Sequence, residues 1–266
     1  MFISENIFFI AEIGINHNGD LNLAKKLIVE ANVLHSIGDL ETQDYIKWGV
    51  NPEKIFRADN VISLSDYQLK HPTNIFKKLK MEKKKDYLLF ISRIHHKKGL
   101  DLLLMAFAKL LKLGLKTILV IAGTGSEEYQ NELKTLVDKL GINNYVKFAG
   151  FVTNEEKLDL LKHAKVYVLT SRSDIHPTAI QHALTMGAPV LITKACDYPE
   201  VEEYRAGIIV DSNVDSIYHG LNKILNESNL DELSKNASRL IQERSLVENL
   251  IKKYEEMYIC AINHTY

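Results

Sequence analysis

From Tyr87 onward the chain alternates short apolar runs with amphipathic stretches so regularly that few folds remain open to it. The runs YLLFIS (87 to 92), TILVIAG (117 to 123), YVKFAG (145 to 150), VYVLTS (166 to 171), PVLIT (189 to 193) and GIIV (207 to 210) are nearly continuous in Val, Ile and Leu. That is the pattern of strands buried on both faces. Between them, apolar spacing of three and four residues predicts helices over Leu100 to Leu113, Glu127 to Leu140, Asn154 to His163, Thr178 to Met186 and Val214 to Asn226, with a long helical stretch from Leu230 toward Cys260. Strand and helix in alternation predict an α/β fold built on a doubly wound parallel sheet. Ligands of such sheets lie beyond the C-terminal ends of the strands, so the informative residues should follow each strand.

The rest of the chain is less regular. Residues Ile7 to Ile13 are apolar, GINHNGD supplies turn residues, and Leu21 to Asn32 has helical spacing, which together make one βα unit. A second begins with Val33 to Ser36, continues through Asp39 to Trp48, ends at Gly49 as a helix C-cap would, and has Lys54 to Arg57 as a following strand. From 63 to 86 the pattern breaks at His71-Pro72 and runs into FKKLKMEKKKD, either a linker or a solvated helix face.

Thirty-three basic against 34 acidic residues leave no global field that would favour nucleic acid or an anionic membrane, so an anion site must be local. Two cysteines, Cys196 and Cys260, are too few for a disulfide framework, which fits a reducing cytoplasmic location. The N-terminus lacks the basic segment of a signal peptide, and no apolar stretch reaches the roughly 18 to 20 residues that span a bilayer.

Three loops after strands carry chemistry. The segment Ser92-Arg93-Ile94-His95-His96-Lys97-Lys98-Gly99 sets an arginine and a lysine on a loop that opens a helix, where guanidinium, ammonium and free amides would suit a diphosphate. A solvated basic loop is the alternative. Ala122-Gly123-Thr124-Gly125-Ser126 lets backbone approach a phosphate, with Ser126 as an N-cap, or is simply a tight turn. It has neither the third glycine of a dinucleotide fingerprint nor the lysine of a P-loop. In Ser171-Arg172-Ser173-Asp174-Ile175-His176-Pro177-Thr178, Asp174 would stand at the C-terminal edge of a strand, before a helix whose first amides would face a bound anion; a turn former at Asp174 and a helix-starting Pro177 are the alternative. His95, His96, His163, His176 and His182 lack ligand spacing, so neither a metal nor another cofactor is expected.

Taken in order, SRIHHKKGLDLLLMAF, IAGTGSEEYQNEL, VKFAGFVTNEEKLDLLKHAKVYVLTS and HALTMGAPVLIT resemble the C-terminal, donor-binding domain of GT4-type retaining glycosyltransferases of GT-B fold. YIKWGVNPEKIFRADNVI extends the resemblance back into the last βα portion of that family's first domain, for a coverage of about Val33 to Tyr258. The resemblance implies a Rossmann-like half of GT-B preceded by a truncated α/β segment. It also implies donor-diphosphate binding by Arg93, Lys98, Gly123, Gly125, Thr178 and Ala179, and contacts of Phe148 and Gly150 with the nucleotide base. The family's paired acids, eight positions apart, would fall at Asp174, as the catalytic carboxylate, and at His182, beside the ribose. The first is a methylene shorter than the family's glutamate. The second is replaced by an imidazole, which can hydrogen-bond a hydroxyl though not as a carboxylate does; a plain helix histidine is the alternative. Such transfer needs no metal where Arg and Lys neutralise the leaving diphosphate.

The opening FFIAEIGINHNGDLNLAKKLI is similar instead to the start of sialic acid synthases, in which the positions of Glu12, Asn16 and His17 face the active end of a TIM barrel. The match covers about 30 residues, whereas such a barrel takes roughly 250. The expected organisation is therefore a synthase-like βα fragment at 1–32, a remnant of the first GT-B domain at 33–62, a linker at 63–86, a nucleotide-sugar-binding domain at 87–229 and a helical tail at 230–266. The expected function is retaining sugar transfer from a nucleotide-diphosphate donor to a glycan or lipid-linked acceptor in surface polysaccharide synthesis. Peripheral membrane association, and a partner chain supplying the acceptor domain, are compatible with it. The alternatives are a non-catalytic nucleotide-sugar-binding module completed by that partner, and a sialic acid synthase-like protein.

Overall fold

The computed structural model describes residues 21–82, 86–174, 176–226 and 229–263. They fall into two compact units, one comprising the chain up to Ile62 together with the segment from Arg244, the other Ser63–Glu243.

In the first unit, α1 (Leu21–Glu30) is followed by β1 (Leu34–Ser36), α2 (Asp39–Lys47) and β2 (Ile55–Arg57). Gly49, at φ +91°, lies where the sequence calls for a helix stop. The two strands pair in parallel, Leu34 opposite Ile55. One face of the pair is closed by Ile28, Ala31, Tyr45 and Val50. A second cluster joins Val33 and Phe56 to Met257 and Ala261 of the last helix, Val247–Asn263. The segment expected as a single tail from 230 is thus two helices, apportioned to different units.

The second unit opens with the stretch expected as a linker. It carries a short helix, α3 (Ile75–Lys78), whose buried Phe76 sets its ring edge-on to Tyr87 and to His163, and Thr73 Oγ1 donates to Asp159 at 2.6 Å. The predicted alternation then follows as β3 (Tyr87–Ile91), α4 (Leu100–Leu111), β4 (Ile118–Ala122), α5 (Glu127–Leu140), β5 (Val146–Gly150), α6 (Asn154–His163), β6 (Val166–Leu169), α7 (Thr178–Thr185), β7 (Val190–Thr193), α8 (Glu200–Glu203), β8 (Gly207–Val210), α9 (Val214–Leu225) and α10 (Leu230–Arg244).

All neighbouring strands of the six-stranded sheet are parallel, in the order β5-β4-β3-β6-β7-β8. Helix α4 packs with α5 and α9, and α6 packs with α3 and α7, so the sheet is covered on both faces. The strands accordingly read as continuous apolar runs: every side chain of β4, β6 and β7 is buried. Each such Val, Ile or Leu contributes roughly 1.5–3 kcal/mol of transfer free energy. Two tyrosines share this core because their hydroxyls find carbonyls, Tyr87 that of Leu160 and Tyr167 that of Ile91. An unpaired buried hydroxyl would instead cost about 1–3 kcal/mol. The doubly wound α/β fold expected from the sequence is the fold observed.

Candidate functional site

Chain order runs outward from β3 to β5 on one side of the sheet, then returns to place β6 against the other side of β3. The loops after β3 and β6 therefore leave neighbouring strands for helices on opposite faces, the crevice in which doubly wound sheets hold ligands. Arg93, Lys98 and Asp174 lie on these two loops.

The loops are bonded to one another. Thr170 Oγ1 donates to the carbonyls of Gly99 (2.9 Å) and Lys98 (3.3 Å), and the Arg172 N–H donates to Lys97 O at 2.7 Å. This brings the buried Lys98 ammonium onto the Asp174 carboxylate, which also accepts from Ser171 Oγ at 3.2 Å. The Asp174 main-chain N–H is fixed to Ala195 O at 2.9 Å. Arg93 is exposed and forms no ion pair among the described residues. Lys98 and Asp174 thus meet directly, while Arg93 stands open to solvent.

The glycine loop after β4 runs alongside. Ile94 donates to Thr124 O at 2.8 Å, and Gly123 donates to Gly150 O at 2.8 Å. A Cβ on Gly123, which has φ +131°, would lie 1.9 Å from Ser92 O, and one on Gly125 would lie 1.9 Å from Ile94 O. Both glycines are needed for this contact with the Arg93–Lys98 loop, whatever else the backbone meets. Ser126 caps α5 through the Tyr129 N–H, as its position suggested. Phe148 and Gly150, on the neighbouring edge strand, are half-buried.

Helix α7 begins after Pro177 without a side-chain cap. Ile180 N–H returns to Pro177 O, while the amides of Thr178 and Ala179 have no acceptor among the described residues. One turn further, His182 is half-buried, its Nδ1 3.2 Å from Lys157 Nζ and 3.2 Å from Tyr67 Oη. Burial, followed by the Lys157 charge, lowers its pKa to about 4. A lysine can only donate, so Nδ1 accepts and the proton of the neutral ring resides on Nε2. At neutral pH His182 is therefore a single N–H donor where the resemblance places a carboxylate. Nothing in the sequence pattern marks Tyr67 or Lys157 as its partners. Glu12, Asn16 and His17, the synthase-like motif, lie outside the described residues.

The family model for glycosyl transferases, group 1, matches residues 72–243, well over half of the chain and almost the whole second unit. The chain belongs to the group 1 glycosyltransferases. Its curated relatives include an uncharacterized glycosyltransferase of Methanocaldococcus jannaschii, 29% identical over 178 residues, which are 66% of this chain and 45% of that protein. The alpha-monoglucosyldiacylglycerol synthase of Streptococcus pneumoniae is 29% identical over 183 residues, 66% of this chain and 39% of that one. The chain thus spans less than half the length of these relatives. Among solved structures, that of Anabaena HepE with UDP and glucose superposes with a TM-score of 0.76 at 19% identity, covering 95% of this chain and 70% of that one. That likeness extends the group 1 assignment to a GT-B glycosyltransferase fold. No helix among the described residues is long and apolar enough to cross a membrane.

Proposed function

We propose that the second unit binds a nucleotide-diphosphate sugar and transfers its sugar with retention to a glycan or lipid-linked acceptor. The observation that carries this is the meeting of the Arg93–Lys98 loop, the Gly123–Gly125 loop and the uncapped start of α7 at one end of one parallel sheet. Cations and free amides there would hold the diphosphate, as charge-assisted donors do. In the transfer, the bond between the anomeric carbon and the diphosphate oxygen breaks and its electron pair leaves with the phosphate. The acceptor hydroxyl oxygen bonds that carbon on the face just vacated, and its proton passes to the departing phosphate oxygen. Lys98 and Arg93 neutralise the charge that develops on the leaving group, the kind of contact that accelerates only if it strengthens in the transition state. Asp174, beside Lys98, would accept from a hydroxyl of the donor sugar, with Phe148 and Gly150 at the base and His182 Nε2–H at the ribose.

The lipid-linked acceptor is supported by the pneumococcal relative, whose name describes the synthesis of a glycolipid. A second reading, a donor-binding module completed by a partner chain, is favoured by His182 in place of the second acid. Calorimetric titration with UDP-, GDP- and CMP-linked sugars, followed by an assay of donor hydrolysis, tests both. Saturable binding with turnover supports the transferase, binding without turnover the module, and no saturable binding at millimolar donor sinks both.

A further inference from the structure

Arg172 takes no part in the transfer proposed above, yet it makes more directed bonds than its neighbours in the site. Its main-chain N–H donates to Lys97 O at 2.7 Å and its Nη1 to His96 O at 2.8 Å, so it grips the two residues just before Lys98. The same guanidinium forks onto Asp101, Nη1 to Oδ1 at 2.8 Å and Nη2 to Oδ2 at 2.6 Å. Asp101 lies in the first turn of α4, just beyond the same loop. Arg172 itself stands two residues before Asp174. One side chain therefore ties both ends of the segment carrying Lys98 to the loop carrying Asp174. The tie reaches a third loop, because the His96 ring lies against Tyr129, in the first turn of α5, with 3.7 Å between centroids.

We propose that Arg172 and Asp101 form a positioning clamp that sets Lys98 against Asp174 and keeps the glycine loop in register with them. As a statement about donor binding it rests on the function proposed above; as a statement about loop geometry it does not. Two features distinguish this pair from an ordinary exposed ion pair, which contributes little. The fork is bidentate and leaves Nη1 still donating to a carbonyl, a planar arrangement that lysine cannot copy. The pair also stays ionised. Burial alone would raise the Asp101 carboxyl, but the hydrogen bond and charge of Arg172, with two backbone amides, hold it below the usual carboxylate range. The Asp101 hydrogen bond in turn raises Arg172 above its ordinary value.

The test is the reactivity of the Lys98 amine toward reductive methylation by formaldehyde and a borohydride, read by peptide mass spectrometry, alongside binding of UDP as probe. Arg172→Met is expected to label Lys98 about tenfold faster and to bind UDP about tenfold more weakly than wild type, with Arg172→Lys between the two because one bond of the fork survives. Asp101→Asn should move both readouts in the same direction. Lys109→Ala, which deletes an ordinary exposed pair with Asp215, should leave the labelling of Lys98 unchanged. Wild-type labelling of Lys98 in a folded Arg172→Met or Arg172→Lys protein overturns the clamp, whatever UDP does. If wild type fails to bind UDP and every other donor, the proposed function fails while Lys98 labelling still decides the clamp.

Discussion

His182 shows how one side chain's surroundings set its chemistry. In the unfolded chain its imidazole titrates near 6.5 and in the native unit near 4, because burial and then Lys157 disfavour the charged ring. The unfolded state therefore binds the extra proton across that interval, so stability is present above about pH 6.5 and is lost as pH falls through 4. Thermal melts of wild type between pH 7 and 4 should show a steeper fall than those of His182→Gln. Equal pH slopes would remove His182 from the account. Asp174 yields a different forecast. Asn in its place still offers Lys98 an oxygen to hold it in position but removes the charge, so donor affinity should be largely kept while donor hydrolysis falls by about a hundredfold or more; parallel loss of both in calorimetry and rate assays would mean that Asp174 only supports the fold. The sequence marked Arg93, Lys98 and Asp174 because each follows a strand. It could not show that Lys98 and Asp174 bond to one another, nor that Tyr67, 115 residues away, tethers His182.

At the scale of elements, the second unit was legible because its signals are local. A run of Val, Ile and Leu makes a strand, and four-residue spacing makes a helix, without reference to the rest of the chain. The strands end within two residues of the apolar runs, Ile118–Ala122 within 117 to 123 and Val166–Leu169 within 166 to 171. The closure of the first unit was not legible. The Tyr254 hydroxyl donates to Asp59 O at 3.1 Å, and its ring lies 5.5 Å from that of His35, contacts across about two hundred residues that no periodicity encodes. The glycine loop belongs between these cases, since its glycines were visible but the reason for them was not. Gly125→Ala forces a methyl toward Ile94 O, now 1.9 Å from the Cβ position. We expect a loss of about 2 kcal/mol or more, read as a lower denaturant midpoint, because the obstacle is backbone and cannot rotate away. A midpoint equal to that of wild type would show that the two loops part freely.

For the whole molecule, membership of the group 1 glycosyltransferases rests on residues 72–243, and the donor site proposed here lies wholly within that span. In that site Arg93 and Lys98 are proposed to hold the donor diphosphate. The most direct measurement is a calorimetric comparison of wild type, Arg93→Ala and Lys98→Ala against the donor that wild type binds best. Each substitution removes a charge-assisted contact worth about 1.5–3 kcal/mol, so each variant should bind roughly ten- to a hundredfold more weakly; the melting temperature should change little in Arg93→Ala, whose side chain is exposed, and fall in Lys98→Ala, which leaves the Asp174 carboxylate without its partner. Two folded variants that bind like wild type would contradict the account.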